Sequence, residues 1–128
     1  MVGNNHLNDN NFRYLGDAMV IYKKLEDVMA QGPARTGYDI LNAEDGLLNG
    51  CKCGISNYTR KEYDSNGGSV HDDQEGFFVL EGKGYALIDG EEIEMTPGAC
   101  FMVLPGTKHT MKCAADSDYC RVFWFHAR

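Results

Sequence analysis

The sequence contains no apolar run approaching the roughly 20 residues that a membrane-spanning helix requires. Its opening residues, Met1 to Asn11, are polar rather than signal-like. Both features predict a cytoplasmic chain with no membrane partner. No cluster of Lys or Arg offsets the formal charge of -7, which comes from 12 basic and 19 acidic residues. A phosphate backbone would be repelled, so nucleic acid is not an expected partner. Five cysteines without a secretion signal are an odd number; they read as reduced thiols, not a disulfide framework. The serines lack a Gly-x-Ser-x-Gly setting, and no helical pattern follows Gly82-Lys83-Gly84, which removes a hydrolase nucleophile elbow and a phosphate loop. No helix pair of the DNA-binding kind and no internal repeat is visible.

What is present fits one domain of 128 residues with 43% hydrophobic content, enough to bury a core without covalent staples. The first ten or so residues are Asn-rich and carry no apolar pattern, so they are expected to be unstructured. From Asp17 to Gln31, Ala18, Ile21, Tyr22, Leu25, Val28 and Met29 recur at spacings of three and four. That period predicts an amphipathic helix over 17–31, capped by Asp17, stopped by Gly32-Pro33 and packed on the rest of the chain. Residues 1–37 then form an N-terminal extension and 38–128 a β domain. Within the latter, short runs separated by Gly, Asn and Asp predict strands at 38–41, 51–60, 76–81, 85–89, 92–95, 100–104, 110–113 and 120–126. Asp89-Gly90 between two such runs predicts a two-residue hairpin turn, because both residues tolerate positive φ.

Alternation along each strand assigns side chains to faces. Placing Lys52 and Arg60 in water turns Cys51, Cys53, Ile55, Asn57 and Thr59 inward. His109, Met111 and Cys113 face in, as do Val122, Trp124 and His126. Glu75, Phe77 and Val79 share one face of their strand and Phe78 and Leu80 the other. Both faces of that strand are thus apolar, and a homodimer is the simplest cover for the outer one.

The segment His71-x3-Glu75-x6-Gly82 resembles the first motif of the cupin superfamily, and Gly98-x5-Leu104-Pro105-Gly106-x2-His109 resembles the second, with a hairpin between them. The resemblance implies an all-β, single-domain double-stranded β-helix, the jelly-roll cupin barrel, here preceded by an N-terminal helix. It also implies a metal held by His71, Glu75 and His109. The chain departs from the pattern at four positions. Ser69 stands where the first motif usually has another histidine, Tyr63 where it has glycine, Leu104 where the second has a proline and Cys113 where it ends in asparagine.

Two imidazoles and one carboxylate form a donor set suited to Fe, Mn, Ni, Zn or Co that leaves coordination positions open. Asp73 or Gln74 could add an oxygen donor. Without metal the same three residues would be a buried hydrogen-bonded cluster. His126, Trp124, Phe77 and Tyr58 are candidates for contacts to a small organic ligand, since such pockets are mostly apolar with a few orienting polar groups; each also reads as core. Cys51 and Cys53 read as small buried residues rather than metal ligands. The function expected from the resemblance is a metal-binding cupin that takes a small polar or anionic molecule into its barrel. The fold hosts dioxygenase, isomerase, decarboxylase and lyase chemistry, so the resemblance does not choose among them. The alternative is a non-catalytic small-ligand barrel with no essential metal.

Overall fold

A computed structural model describes residues 12–15, 18–30 and 37–128. Its elements in chain order are β1 Phe12–Leu15, β2 Ala18–Ile21, α1 Leu25–Met29, β3 Gly37–Leu41, β4 Lys52–Tyr58, β5 Gln74–Gly82, β6 Gly84–Ile88, β7 Glu91–Met95, β8 Cys100–Val103, β9 His109–Cys113 and β10 Cys120–Ala127. The domain is two facing antiparallel sheets, one in the order β3-β4-β10-β5-β8 and the other β7-β6-β9. Between them lies a core of Phe77, Val79, Ala86, Met95, Val103, Met111, Cys120, Val122 and Trp124. This is the jelly-roll architecture, and each strand expected from Tyr38 onward forms within a residue or two of its expected ends.

The N-terminal part departs from expectation. Instead of a helix over 17–31, Ala18–Ile21 pairs with Phe12–Leu15 as a hairpin, and the helix is the single turn Leu25–Met29. The apolar spacing suits a helix, but Val20 and Ile21 are β-branched and fit a pleated strand well. Asp17 and the Gly32-Pro33 stop lie outside the described residues, as do residues 1–11. The segment is tied down by Lys23, whose Nζ donates to the Ile40 carbonyl at 2.7 Å and lies 2.9 Å from the buried carboxylate of Asp45.

The Asp89-Gly90 turn has φ of +49° and +85°, and Ile88 pairs with Glu91 across it, as a type I′ turn requires. The strand β10 alternates without a break, with Cys120, Val122, Trp124 and His126 buried. In β4 the expected faces are reversed. Gly54 and Ser56 stand opposite Trp124 and Val122, so these residues and Tyr58 face the interior. Ile55 packs on the other side, opposite Tyr38. Lys52 does not mark the solvent face. It lies on the inner face at the barrel end, its ammonium 5.9 Å from the Trp124 ring centre. Thr59, beyond the strand end, does reach the cavity described below. All five cysteines are free thiols; burial raises the pKa of Cys120 to about 11.

Gly54 is where β4 and the indole meet most closely. A Cβ there would lie 2.2 Å from the Tyr38 carbonyl oxygen and 2.4 Å from Trp124 Cζ2. Gly54→Ala is therefore expected to destabilise the fold by about 1–3 kcal/mol, the usual penalty of overpacking a closed core. Urea unfolding checks this, and unchanged stability would mean that β4 does not hold this register.

Candidate metal centre

Three segments bring the polar residues together. His71 precedes β5, Glu75 is the second residue of β5 and His109 opens β9. The approach of the first segment to the third depends on Gly68, with φ of +103°; a Cβ there would sit 1.9 Å from the His109 carbonyl oxygen. The close contact lets Ser69 exchange two backbone hydrogen bonds with His109, at 2.9 and 3.0 Å. Ser69, at the position of the missing histidine, thus sets where His109 begins.

His71, Glu75 and His109 place ligand atoms within 4.8 Å of one another. Nε2 of His71 is 3.4 Å and Nε2 of His109 is 3.1 Å from the same oxygen, Oε1 of Glu75. The Nδ1 of His109 is 3.0 Å from the Thr107 carbonyl. A carbonyl only accepts, so Nδ1 carries the hydrogen, and whenever the ring is neutral the lone pair of Nε2 faces Glu75. Two acceptors then face each other in a buried site, which demands a cation or a proton between them. This donor arrangement fits a divalent transition metal, with the outer hydrogen bond fixing the histidine tautomer as ligating imidazoles normally require.

The group forms part of the wall of a cavity of about 400 Å³ whose lining also includes Tyr58, Thr59, Arg60, Asp64, Ser69, Phe77, Thr110 and Met111. Phe77 stacks on Phe101 at 5.0 Å and meets His109 edge-on at 6.2 Å. Burial pushes the Tyr58 phenol up to about 12, so it remains a neutral hydrogen-bond donor. Arg60 pairs with Asp64, which also contacts the Thr110 hydroxyl.

Of the four residues proposed from sequence for ligand contacts, Phe77 and Tyr58 line this cavity. Trp124 and His126 are buried but are not among the lining residues. His126 instead packs edge-on against Trp124 and contacts both Glu75 and Asp73. Asp73 and Gln74, considered as extra oxygen donors, line a separate groove with Pro105 and Arg128. Sequence reasoning missed Arg60, Asp64 and Thr110. The signal available was Gly67-Gly68, which marks the loop between β4 and β5 as one that closes tightly on another strand.

Residues 62–126 match the family described as the cupin domain. Among solved structures, a cupin protein from Bacteroides fragilis is 23% identical, with 77% of this chain and 82% of that one aligned at a TM-score of 0.58. The polyketide cyclase RemF from Streptomyces resistomycificus is 17% identical, covering 84% and 79% at 0.66. The hydroxypropylphosphonic acid epoxidase from S. wedmorenis is 15% identical, covering 71% of this chain and 49% of that one at 0.58; the present chain spans about half its length. These likenesses are of fold. No curated protein sequence matches.

The pKa of His109 is raised, chiefly by its hydrogen bond to Glu75, with burial opposing and the Thr107 carbonyl adding to the rise. In the metal-free protein this pairing stabilises the fold fully below the ordinary histidine value near about 6.5. The contribution is lost as pH rises through the raised value. Metal must displace that proton, so metal affinity is expected to increase with pH through a midpoint above the ordinary histidine value, with proton release. Calorimetric titration in buffers of different ionisation enthalpy measures this; uptake independent of pH would remove His109 from the ligand set.

Proposed function

The chain belongs to the cupin family, and we propose that it holds one divalent transition metal on His71, Glu75 and His109 and binds a small polar or anionic organic molecule beside it. The observation that carries this reading is the convergence of three ligand atoms on the wall of a cavity of about 400 Å³, a size that suits small organic ligands. The donor set of two imidazoles and one carboxylate is compatible with Fe, Mn, Ni or Zn.

A metal there would supply Lewis acidity to an oxygen of the bound molecule. The chain's own residues supply orientation. Phe77 and Met111 give apolar wall, Tyr58 offers a phenolic hydrogen and Arg60 a guanidinium at the cavity edge. An anionic substituent would take the place of Asp64 as the partner of Arg60, a bidentate contact that guanidinium geometry favours. Such a site supports dioxygenase, isomerase or lyase chemistry on a small acid, all of which begin by binding the substrate next to the metal.

The outer face of the large sheet supports a homodimer. Phe78, Leu80 and Met102 are 43%, 39% and 43% exposed, and Leu104 is more exposed still. A second copy of the chain would bury this patch. Sedimentation velocity is expected to report a dimer, and Phe78→Asp should shift it to monomer; an unchanged profile would place the interface elsewhere.

Elemental analysis of protein purified without chelator or nickel resin tests the site itself. About one equivalent of transition metal per chain is expected, falling to roughly a tenth or less in His71→Ala and in His109→Ala while the far-ultraviolet dichroism is retained. Full metal content in both variants would refute the ligand assignment. A wild-type protein that takes up no metal would favour a ligand-binding barrel without one.

A further inference from the structure

The two oxygens of Glu75 have different surroundings. Oε1 faces His71 and His109, as described above. Oε2 faces Nε2 of His126 at 3.2 Å. That imidazole is gripped from its other side, where Nδ1 lies 3.1 Å from both oxygens of Asp73. Trp124 meets the His126 ring edge-on at 5.6 Å, which limits its rotation. His126 does not belong to the group of ligand atoms lying within 4.8 Å of one another. It stands beside Glu75 in register on the neighbouring strand.

We infer that Asp73 and His126 are positioning residues, a hydrogen-bonded chain that pins Oε2 of Glu75 and so turns Oε1 toward His71 and His109. The inference rests on the metal site proposed above. Glutamate χ3 is a broad, nearly two-fold torsion, so an unpinned carboxylate could present either oxygen or both. Carboxylates accept only, and the ring N–H groups are the donors that fix its rotation. With Oε2 engaged, Glu75 gives the metal a single oxygen, and positions remain for water and substrate on the cavity side. A set of three ligands, with Ser69 in place of a fourth, depends more heavily on each being fixed in advance. Groups that orient ligands in this way typically change metal affinity about 10–100-fold when removed.

Co(II) is the probe for the test, followed by its visible absorption and by titration of the folded full-length chain. His126→Leu is expected to weaken Co(II) binding by about 10–100-fold and to alter the absorption bands. His126→Gln retains an N–H for Oε2 and should recover most of the affinity. Asp73→Asn keeps an acceptor for Nδ1 but not the charge, and should fall between them. Asp73 lies at the edge of the separate groove, so this variant carries the test if the buried leucine prevents folding. Wild-type affinity and spectrum in both His126→Leu and Asp73→Asn would overturn the positioning role. Pulsed electron paramagnetic resonance of the Cu(II)-loaded protein gives an independent readout: two bound imidazoles are expected in wild type and in His126→Gln. Three in wild type and two in the variant would make His126 a ligand, overturning the inference while leaving a metal site in place. A folded wild-type protein that binds no Co(II) would instead remove the metal reading on which the inference stands.

Discussion

A carboxylate buried between imidazoles is the constraint around which this barrel is built. Glu75 is largely shielded from water on the inner face of β5, and an uncompensated charge there would cost several kcal/mol. Compensation comes from three other segments: His71 from the approach to β5, His109 from β9 in the opposite sheet and His126 from β10. The two sheets must therefore close in one register for Glu75 to be tolerated. The glycines at 54 and 68 permit two of the close approaches, β4 to Trp124 and the β4–β5 loop to β9. The same requirement that fixes the fold aims the donor atoms at one point.

Much of this was legible in the residues because short strand-forming runs are separated by Gly, Asn and Asp and the Asp89-Gly90 turn admits few alternatives. The His71, Glu75 and His109 positions were legible through the cupin motifs. Other features were not. Residues 18–21 satisfy the helical and the strand pattern alike, and pairing with β1, a tertiary choice, decides between them. In β4 the faces could not be assigned from polarity because Lys52 reaches across an indole instead of into water. The Asp73–His126 contact joins residues 53 apart in sequence, and nothing in either local pattern announces it. Arg60 and Asp64 reach the cavity only through the path of a loop.

The cavity explains why the fold leaves the reaction open. Its walls combine a candidate metal site, a neutral phenol, an arginine paired with Asp64 and a few apolar side chains. On the proposed reading, those elements would bind and orient a small acid without dictating which bond changes. Cupin function resides in the side chains grafted on the barrel, and here the departures from the common pattern are informative. Ser69 leaves three candidate ligands, and a buried histidine stands behind the carboxylate. The chemistry would then be set by what fills the positions that this smaller set leaves free.

The most direct measurement is X-ray absorption at the edge of whichever transition metal accompanies the protein purified without chelator. Three ligands from His71, Glu75 and His109 require a coordination sphere of nitrogen and oxygen only, with the outer-shell scattering of two imidazoles. Sulfur in that sphere would move the metal to the cysteines, and the absence of any stoichiometric metal would leave Glu75 and its histidines as a hydrogen-bonded cluster.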